Sequence, residues 1–380
     1  MNPEIEQFIS TNRASMLSFL EELVLIQSFS RNKKGVDRVG ERISSEMAGM
    51  GFSCEQKEES DLGHHVIARS PAVKDGDRQI LITGHMDTVF PENSSFNWYK
   101  ESENKCFGPG VADMKGGLVV GIYALKALIH TGEIRKLPVT FIFNSDEEIG
   151  SPGSRQLIRE EARTARMAYV LEAGGLANSI VTGRKGNLRA RLTVKGKAGH
   201  AAFAGNDKAS AILELAHKTL AIEEMNAPDK GVSANVGTVS GGIGPNTVAE
   251  HAQANLDFRF PDPDTAAHVH RQLDVISGKT TVAGTTTVLD IESGRPPMPC
   301  TPEVSGMFKR IEALARDLGM PVSQELRQGV SDANIIASEG VPVIDGLGPV
   351  GAKDHSEDEF IEKASLWERS ILFANILARI

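Results

Sequence analysis

The run from Pro138 to Phe143, Pro-Val-Thr-Phe-Ile-Phe, offers apolar side chains to both faces of an extended chain. Successive strand residues point to opposite sides, so a strand of this kind has to be covered twice. Residues 65–69, 78–83 and 167–171 make the same demand. Between and around them lie helical patterns at 13–28, 36–50, 118–129 and 154–163. Strands alternating with helices predict an α/β sheet with helices on both faces.

The pattern changes near Thr182-Gly183-Arg184-Lys185. From Asn187 onward polar and apolar residues alternate, as in a sheet with one wet face. A helix over 208–223, two strand-like stretches, a helix over 265–276 and a last strand ending near Ser293 follow. The order β-α-β-β-α-β is that of a ferredoxin-like α+β insert. After Arg295-Pro296-Pro297 the first texture returns, with helices over 303–318 and 332–338 and a short strand at 342–345. The expected domains are therefore 1–184 and 297–380, forming one α/β unit, and an insert at 185–296. A chain of 380 residues is long enough for two cores.

A net charge of −9 argues against nucleic acid or an anionic membrane as the main partner. The amino terminus lacks a basic stretch leading into an apolar core, and Glu21 and Glu22 interrupt the apolar run after it. No signal peptide or membrane span is expected. Cys54, Cys106 and Cys300 are odd in number and lack metal-type spacing. A reduced, cytoplasmic setting is the expectation.

Ligands of open α/β sheets bind beyond the carboxyl ends of the strands. There this chain concentrates acids and imidazoles. Gly84 breaks an apolar run, and His85 and Asp87 follow two apart, on one side of an extended chain. Asp146, Glu147 and Glu148 come after the strand ending at Phe143, and Glu172 comes after 167–171. Asp113 stands at a loop-to-helix junction, and His355 in a loop just after the last strand. Singly, each has an ordinary reading: an N-cap for Asp113, a solvated acidic loop, a surface histidine. Together, carboxylates at neighbouring strand ends repel one another unless a cation lies among them. Nitrogen and oxygen donors suit Zn²⁺ or a similar divalent ion.

The segments GHMDTV, GPGVADMKGG, SDEEIGSPGS, LEAGG, KAGHA and DHSEDEF resemble, in order and spacing, the co-catalytic di-zinc family. That family includes glutamate carboxypeptidase, acetylornithine deacetylase, succinyl-diaminopimelate desuccinylase, aminoacylase and peptidase T. The resemblance spans nearly the whole chain. It implies a zinc-peptidase-like catalytic domain with a central mixed sheet, interrupted by a dimerisation or lid domain. It also implies two divalent ions per chain, zinc in the first instance with cobalt able to substitute. His85 and Glu172 would bind one, Glu148 and His355 the other, and Asp113 both. Asp87 would accept the other N–H of His85, and Glu147 would be the general base. The peptide after Asp113 is expected to be cis.

The same resemblance gives the substrate side. Glu rather than Asp at 172 accompanies carboxypeptidase and deacylase members, which implies substrates with a free carboxylate beside the cleaved amide. Carboxylate recognition needs cations and hydrogen-bond donors. Asn246, Arg259, Arg295 and the loop at Gly329 are the substrate-binding candidates, and His200 the oxyanion donor, acting across a homodimer formed through the insert. The ordinary reading of Arg259 is a strand residue paired with a surface acid. Gln328 stands where relatives often carry another glycine, which bears on substrate class. The first expectation is a glutamate-carboxypeptidase-like exopeptidase acting on small peptides. The second is an N-acyl-amino-acid deacylase of the acetylornithine or succinyl-diaminopimelate type, and the third a metal-bound but inactive binding protein.

Overall fold

The structure is a computed structural model describing residues 2–379 apart from 75, 77 and 206. The chain divides into two compact units: Met1–Gly183, Cys300–Leu326 and Ser331–Ile380 form one, Arg184–Pro299 and Arg327–Val330 the other.

The first unit is built on a six-stranded mixed sheet. Its order is Ser53–Lys57, His65–Arg69, Val139–Asn144, Gln79–His85, Ala165–Val170 and Val343–Ile344. The first two strands run antiparallel to their neighbours and the other pairs are parallel. As their apolar sequences require, Val139–Asn144 and Gln79–His85 are buried at every residue. The helix Gly116–His130 packs on the sheet and against the helices Pro3–Thr11 and Lys363–Ala378. Gly117 and Gly121 permit that approach: a Cβ on Gly117 would lie 1.9 Å from the Leu171 carbonyl oxygen, and one on Gly121 2.5 Å from a Leu171 methyl.

Gly84 does not end its strand as its sequence suggests. Pairing continues to His85, opposite Asn144. The residue is glycine because a Cβ there would meet Leu118 at 2.6 Å and Met114 at 2.8 Å. The strand at 343–344 is also not the last one. Gly351–Ala352 and Phe360–Glu362 form a hairpin beyond it.

The second unit holds a four-stranded antiparallel sheet in the order Ser233–Gly241, His251–Phe260, Gly186–Lys195, Thr286–Arg295. Its chain order with the helices Ala211–Glu223 and Pro263–Gly278 is β-α-β-β-α-β, ferredoxin-like. Leu188, Ala190, Leu192 and Val194 turn inward beneath the helices, as the alternation of that strand requires. Glu214 and Lys218, 3.0 Å apart and fully buried, pair on the first helix. Glu214 also accepts the Thr281 and Val282 N–H groups, and Lys218 donates to the Ile276 and Lys279 carbonyls. Among the described residues no helix is long and apolar enough to cross a membrane.

Candidate metal centre

Register places the site. Parallel pairing sets His85 opposite Asn144 and Thr83 opposite Val170. The segments leaving these strands therefore start at one edge and carry Asp87, Glu147, Glu148 and Glu172. Asp113 joins them from the tight turn 111–115, where the Asp113–Met114 peptide is cis. His355 comes from the loop of the 351–362 hairpin, with φ of +62°.

These side chains converge on Asp113. His85 Nε2 lies 3.0 Å from its Oδ1 and 3.8 Å from Glu172 Oε1. His355 Nε2 lies 3.2 Å from its Oδ2 and 3.2 Å from Glu148 Oε2. One ligand atom from each of His85, Asp113 and Glu148 falls within 4.8 Å of the others. The two oxygens of Asp113 thus face two imidazole–carboxylate pairs, one on each side.

Protons hold this arrangement in balance. Burial pushes the Glu148 carboxyl up, and the Asp113 charge adds to it, to about 8. Burial and then the Asp113 charge drive Glu172 well above the carboxylate range. Burial also opposes ionisation of Asp113, yet hydrogen bonds from His355 and His85 hold it well below that range. His85 is desolvated, but Asp113 and Asp87 carry its imidazole well above its ordinary value. Hydrogen bonds to Asp113 and Glu148 raise His355 to about 11. The cluster gathers protons because its carboxylates need positive charge among them. A divalent cation supplies the same charge, and a set of two imidazoles and three carboxylates suits one of the zinc type.

Asp87 is fully buried, and its carboxylate accepts from three donors. Its Oδ2 accepts Ser30 Oγ–H at 2.6 Å and the Glu148 N–H at 3.3 Å, and its Oδ1 accepts the Glu147 N–H at 3.2 Å. His85 Nδ1 lies 3.0 Å from the Asp87 carbonyl oxygen and 3.4 Å from its carboxylate. The imidazole is therefore oriented by backbone and side chain of the same residue, and the carboxylate also fixes the Glu147–Glu148 turn. Behind that turn, Asp146 accepts from the Gly153 and Ser154 backbone and from Ser154 Oγ. Asp332 accepts from Asn144 Nδ2 and Ser151 Oγ.

Glu147 lies close enough for its charge to raise both Glu148 and Glu172. The remaining predicted residues belong to the second unit. His200 is exposed on a two-residue ribbon strand opposite Thr247, and the Asn246 carbonyl accepts the Ala201 N–H at 2.9 Å. Arg259 pairs with Asp257 at 3.0 Å on its own strand, and Arg295 is buried with its N–H on Asn187 Oδ1 at 2.8 Å. Gly329 is exposed, its carbonyl accepting from Arg184 at 3.2 Å. Ser30, Lys115, Asp332 and Glu359 are not among the residues expected from the sequence. Ser30 and Asp332 gave no signal, but Lys115 stands inside the motif around Asp113, and Glu359 four residues after His355.

Comparison with known proteins identifies the family. Residues 81–379 match the model of the peptidase family M20/M25/M40. The chain is 26% identical over 384 residues to carboxypeptidase G2 from a Pseudomonas species, covering 98% of this chain and 90% of that one. It is 25% identical over 393 residues to a succinyl-diaminopimelate desuccinylase from Pseudoalteromonas atlantica, covering 96% and 98%. The crystal structure of an aminopeptidase PepT from Bacillus cereus superposes with a TM-score of 0.79 at 24% identity, over 97% and 98% of the two chains, which speaks for the fold. The chain belongs to the M20/M25/M40 peptidase family and is a metal-dependent hydrolase.

Proposed function

We propose that this chain hydrolyses an amide bond beside a free carboxylate, as a glutamate-carboxypeptidase-like exopeptidase. The observation that carries the reading is Asp113 with an imidazole–carboxylate pair on each of its oxygens and Glu147 beside them. In this reading His85, Glu172 and Asp113 hold one divalent ion, and Glu148, His355 and Asp113 the other, zinc being the first choice and cobalt a substitute. When bound, such a pair lowers the pKa of a shared water and polarises the scissile carbonyl.

The chain's own groups do the rest. Glu147 takes the proton of the attacking water and passes it to the leaving amine. Asp87 keeps His85 and the Glu147 backbone in register through its four contacts. Asn246, Arg259, Arg295 and the Gly329 backbone are the proposed anchors for the substrate carboxylate. His200 is the proposed oxyanion donor, supplied by the second unit of a partner chain.

A C₂ homodimer through the second unit fits that assignment. Ile212, Leu213 and Leu220 on the helix Ala211–Glu223 are exposed, and so is Val239 on the edge strand Ser233–Gly241. Mixing inactive His200→Ala and Glu147→Gln chains should then regenerate hybrid dimers with one working site. Confirmed exchange without recovered activity contradicts a role for His200 in trans. The three cysteines, none of them in a disulfide, support a cytoplasmic setting.

The desuccinylase match, over nearly the full length of both chains, favours N-acyl-amino-acid deacylation as the second reading. The test is hydrolysis of acyl- and peptidyl-glutamates beside acetylornithine and succinyl-diaminopimelate, with Zn²⁺ or Co²⁺ supplied. Turnover of the glutamates, lost in Glu147→Gln, supports the first reading. Turnover of the acylated diamino acids alone supports the second, and turnover of none rejects both.

A further inference from the structure

Glu359 lies in the acidic string Ser356-Glu357-Asp358-Glu359, yet it is fully buried while Glu357 and Asp358 are exposed. Its partners are backbone donors of the turn that carries Asp113. Oε1 accepts the Ala112 N–H at 2.8 Å and the Asp113 N–H at 3.0 Å, and Oε2 accepts the Gly110 N–H at 3.0 Å. Three convergent N–H donors occupy the acceptor positions of one carboxyl and fix its orientation against the turn. Lys115 is buried with its Nζ donating to the Ile26 carbonyl at 3.0 Å, and burial lowers its ammonium to about 7 against the opposing charges of Glu359 and Asp87.

The same residue closes the loop that carries His355. Gly351–Ala352 pairs with Phe360–Glu362, and the Glu359 N–H donates to the Ser356 carbonyl at 3.2 Å. Phe360–Glu362 also pairs with Lys105–Phe107, the strand that leads into the Asp113 turn. The His355 side chain is 57% exposed, its Nε2 meeting Asp113 and Glu148 at 3.2 Å each. One carboxylate therefore joins the backbone of the shared aspartate to the hairpin of an exposed histidine.

We infer that Glu359 is a positioning residue, setting the direction of the Asp113 carboxylate and tying it to the His355 hairpin. This rests on the metal-ligand reading above. Glu359→Gln preserves volume but turns an NH₂ group toward backbone N–H groups, leaving at least one without an acceptor.

The test is zinc titration of purified Glu359→Gln and wild-type full-length protein, with cobalt absorption spectra and hydrogen exchange of residues 108–114 in the metal-free state. The expected result is a Kd for the weaker ion raised about 10- to 100-fold, the range for lost partners of metal ligands. The cobalt spectrum at saturation should change, exchange of 108–114 should quicken, and kcat should fall with KM nearly constant. Wild-type affinity and cobalt spectrum in Glu359→Gln, whatever its exchange, overturn the positioning role. Absence of metal uptake by the wild type instead rejects the ligand reading on which it rests. Should Glu359→Gln not fold, Glu359→Asp carries the same titration, with a Kd raised about tenfold expected and an unchanged Kd and spectrum overturning the inference.

Discussion

Replacing Asp87 by Asn removes a charge without removing volume, and the consequences can be worked from its contacts. Oδ1 faces the Glu147 N–H and His85 Nδ1, and Oδ2 faces Ser30 Oγ and the Glu148 N–H. An amide has one acceptor end. If its NH₂ turns to the Oδ1 side, the Glu147 N–H loses its acceptor inside a fully buried site and the NH₂ faces His85 Nδ1, which keeps only the Asp87 carbonyl. If it turns to the other side, Ser30 can rotate its hydroxyl to accept, and only the long bond from Glu148 is lost. The second orientation wins. It forfeits one charge-assisted bond and weakens those that remain, at about 1.5–3 kcal/mol for a hydrogen bond to a charged group. If that loss appears in the transition state, kcat falls about 10- to 150-fold. Because Asp87 also orients His85, the affinity for one ion should fall as well. The assay is kcat at saturating zinc on the best glutamyl substrate, with a metal titration of the same protein. A variant within about twofold of wild type in kcat, with unchanged metal affinity, refutes the reasoning, since that loss corresponds to less than 0.5 kcal/mol.

Other outcomes follow from the same geometry. Glu147→Gln should retain both ions and lose about 10²–10⁴ in kcat, the worth of a positioned acid–base group. His355→Ala should lose one ion of the two, measured by elemental analysis after dialysis. Loss of metal from Glu147→Gln with normal turnover after reconstitution would reverse the roles of Glu147 and Glu148. Metal binding should release protons at pH 7.5, because His355 is raised to about 11 and Glu148 to about 8 without metal. For His355 the sign is that of a raised group: its stabilising charge is present below the ordinary imidazole pKa and disappears as pH rises through about 11. Calorimetry in buffers of different ionisation enthalpy reads the release, and a value of zero contradicts the protonation pattern. Lys218→Met should destabilise the second unit by about 3–5 kcal/mol, since Glu214 stays buried without its cation. A Tm within one degree of wild type contradicts that.

The parts of this molecule legible in its sequence are those where burial leaves a pattern. Val139–Asn144 and Gln79–His85 are apolar on both faces because both faces are covered. The insert alternates because only one face of its sheet meets the helices. Where burial is slight, the pattern fails. Ser53–Lys57 is an edge strand with nearly every residue exposed, and it reads as a polar loop. Gly351–Ala352 and Phe360–Glu362 are too short for any period. The helix Pro3–Thr11 did carry a signal, the Asn2 cap followed by proline, that outweighs its acidic composition.

The site divides in the same way. His85, Asp113, Glu148, Glu172 and His355 stand in recognisable motifs, and the structure brings them to one place. Glu359 looks like part of a solvated acidic string because nothing in sequence marks three backbone N–H groups converging from residues 110–113. Its burial belongs to a hairpin about 250 residues further along the chain, paired with the strand Lys105–Phe107 that leads into the motif it supports.

In the proposed centre Asp113 shares its two oxygens between two ions. Anomalous diffraction at the zinc edge from crystals soaked in Zn²⁺ tests it directly. Two peaks per chain are expected about 3.5–4 Å apart, one bonded to Asp113 with His85 and Glu172, the other to Asp113 with Glu148 and His355. A soaked crystal with no peak at this cluster, or with a single peak that leaves Asp113 untouched, contradicts it.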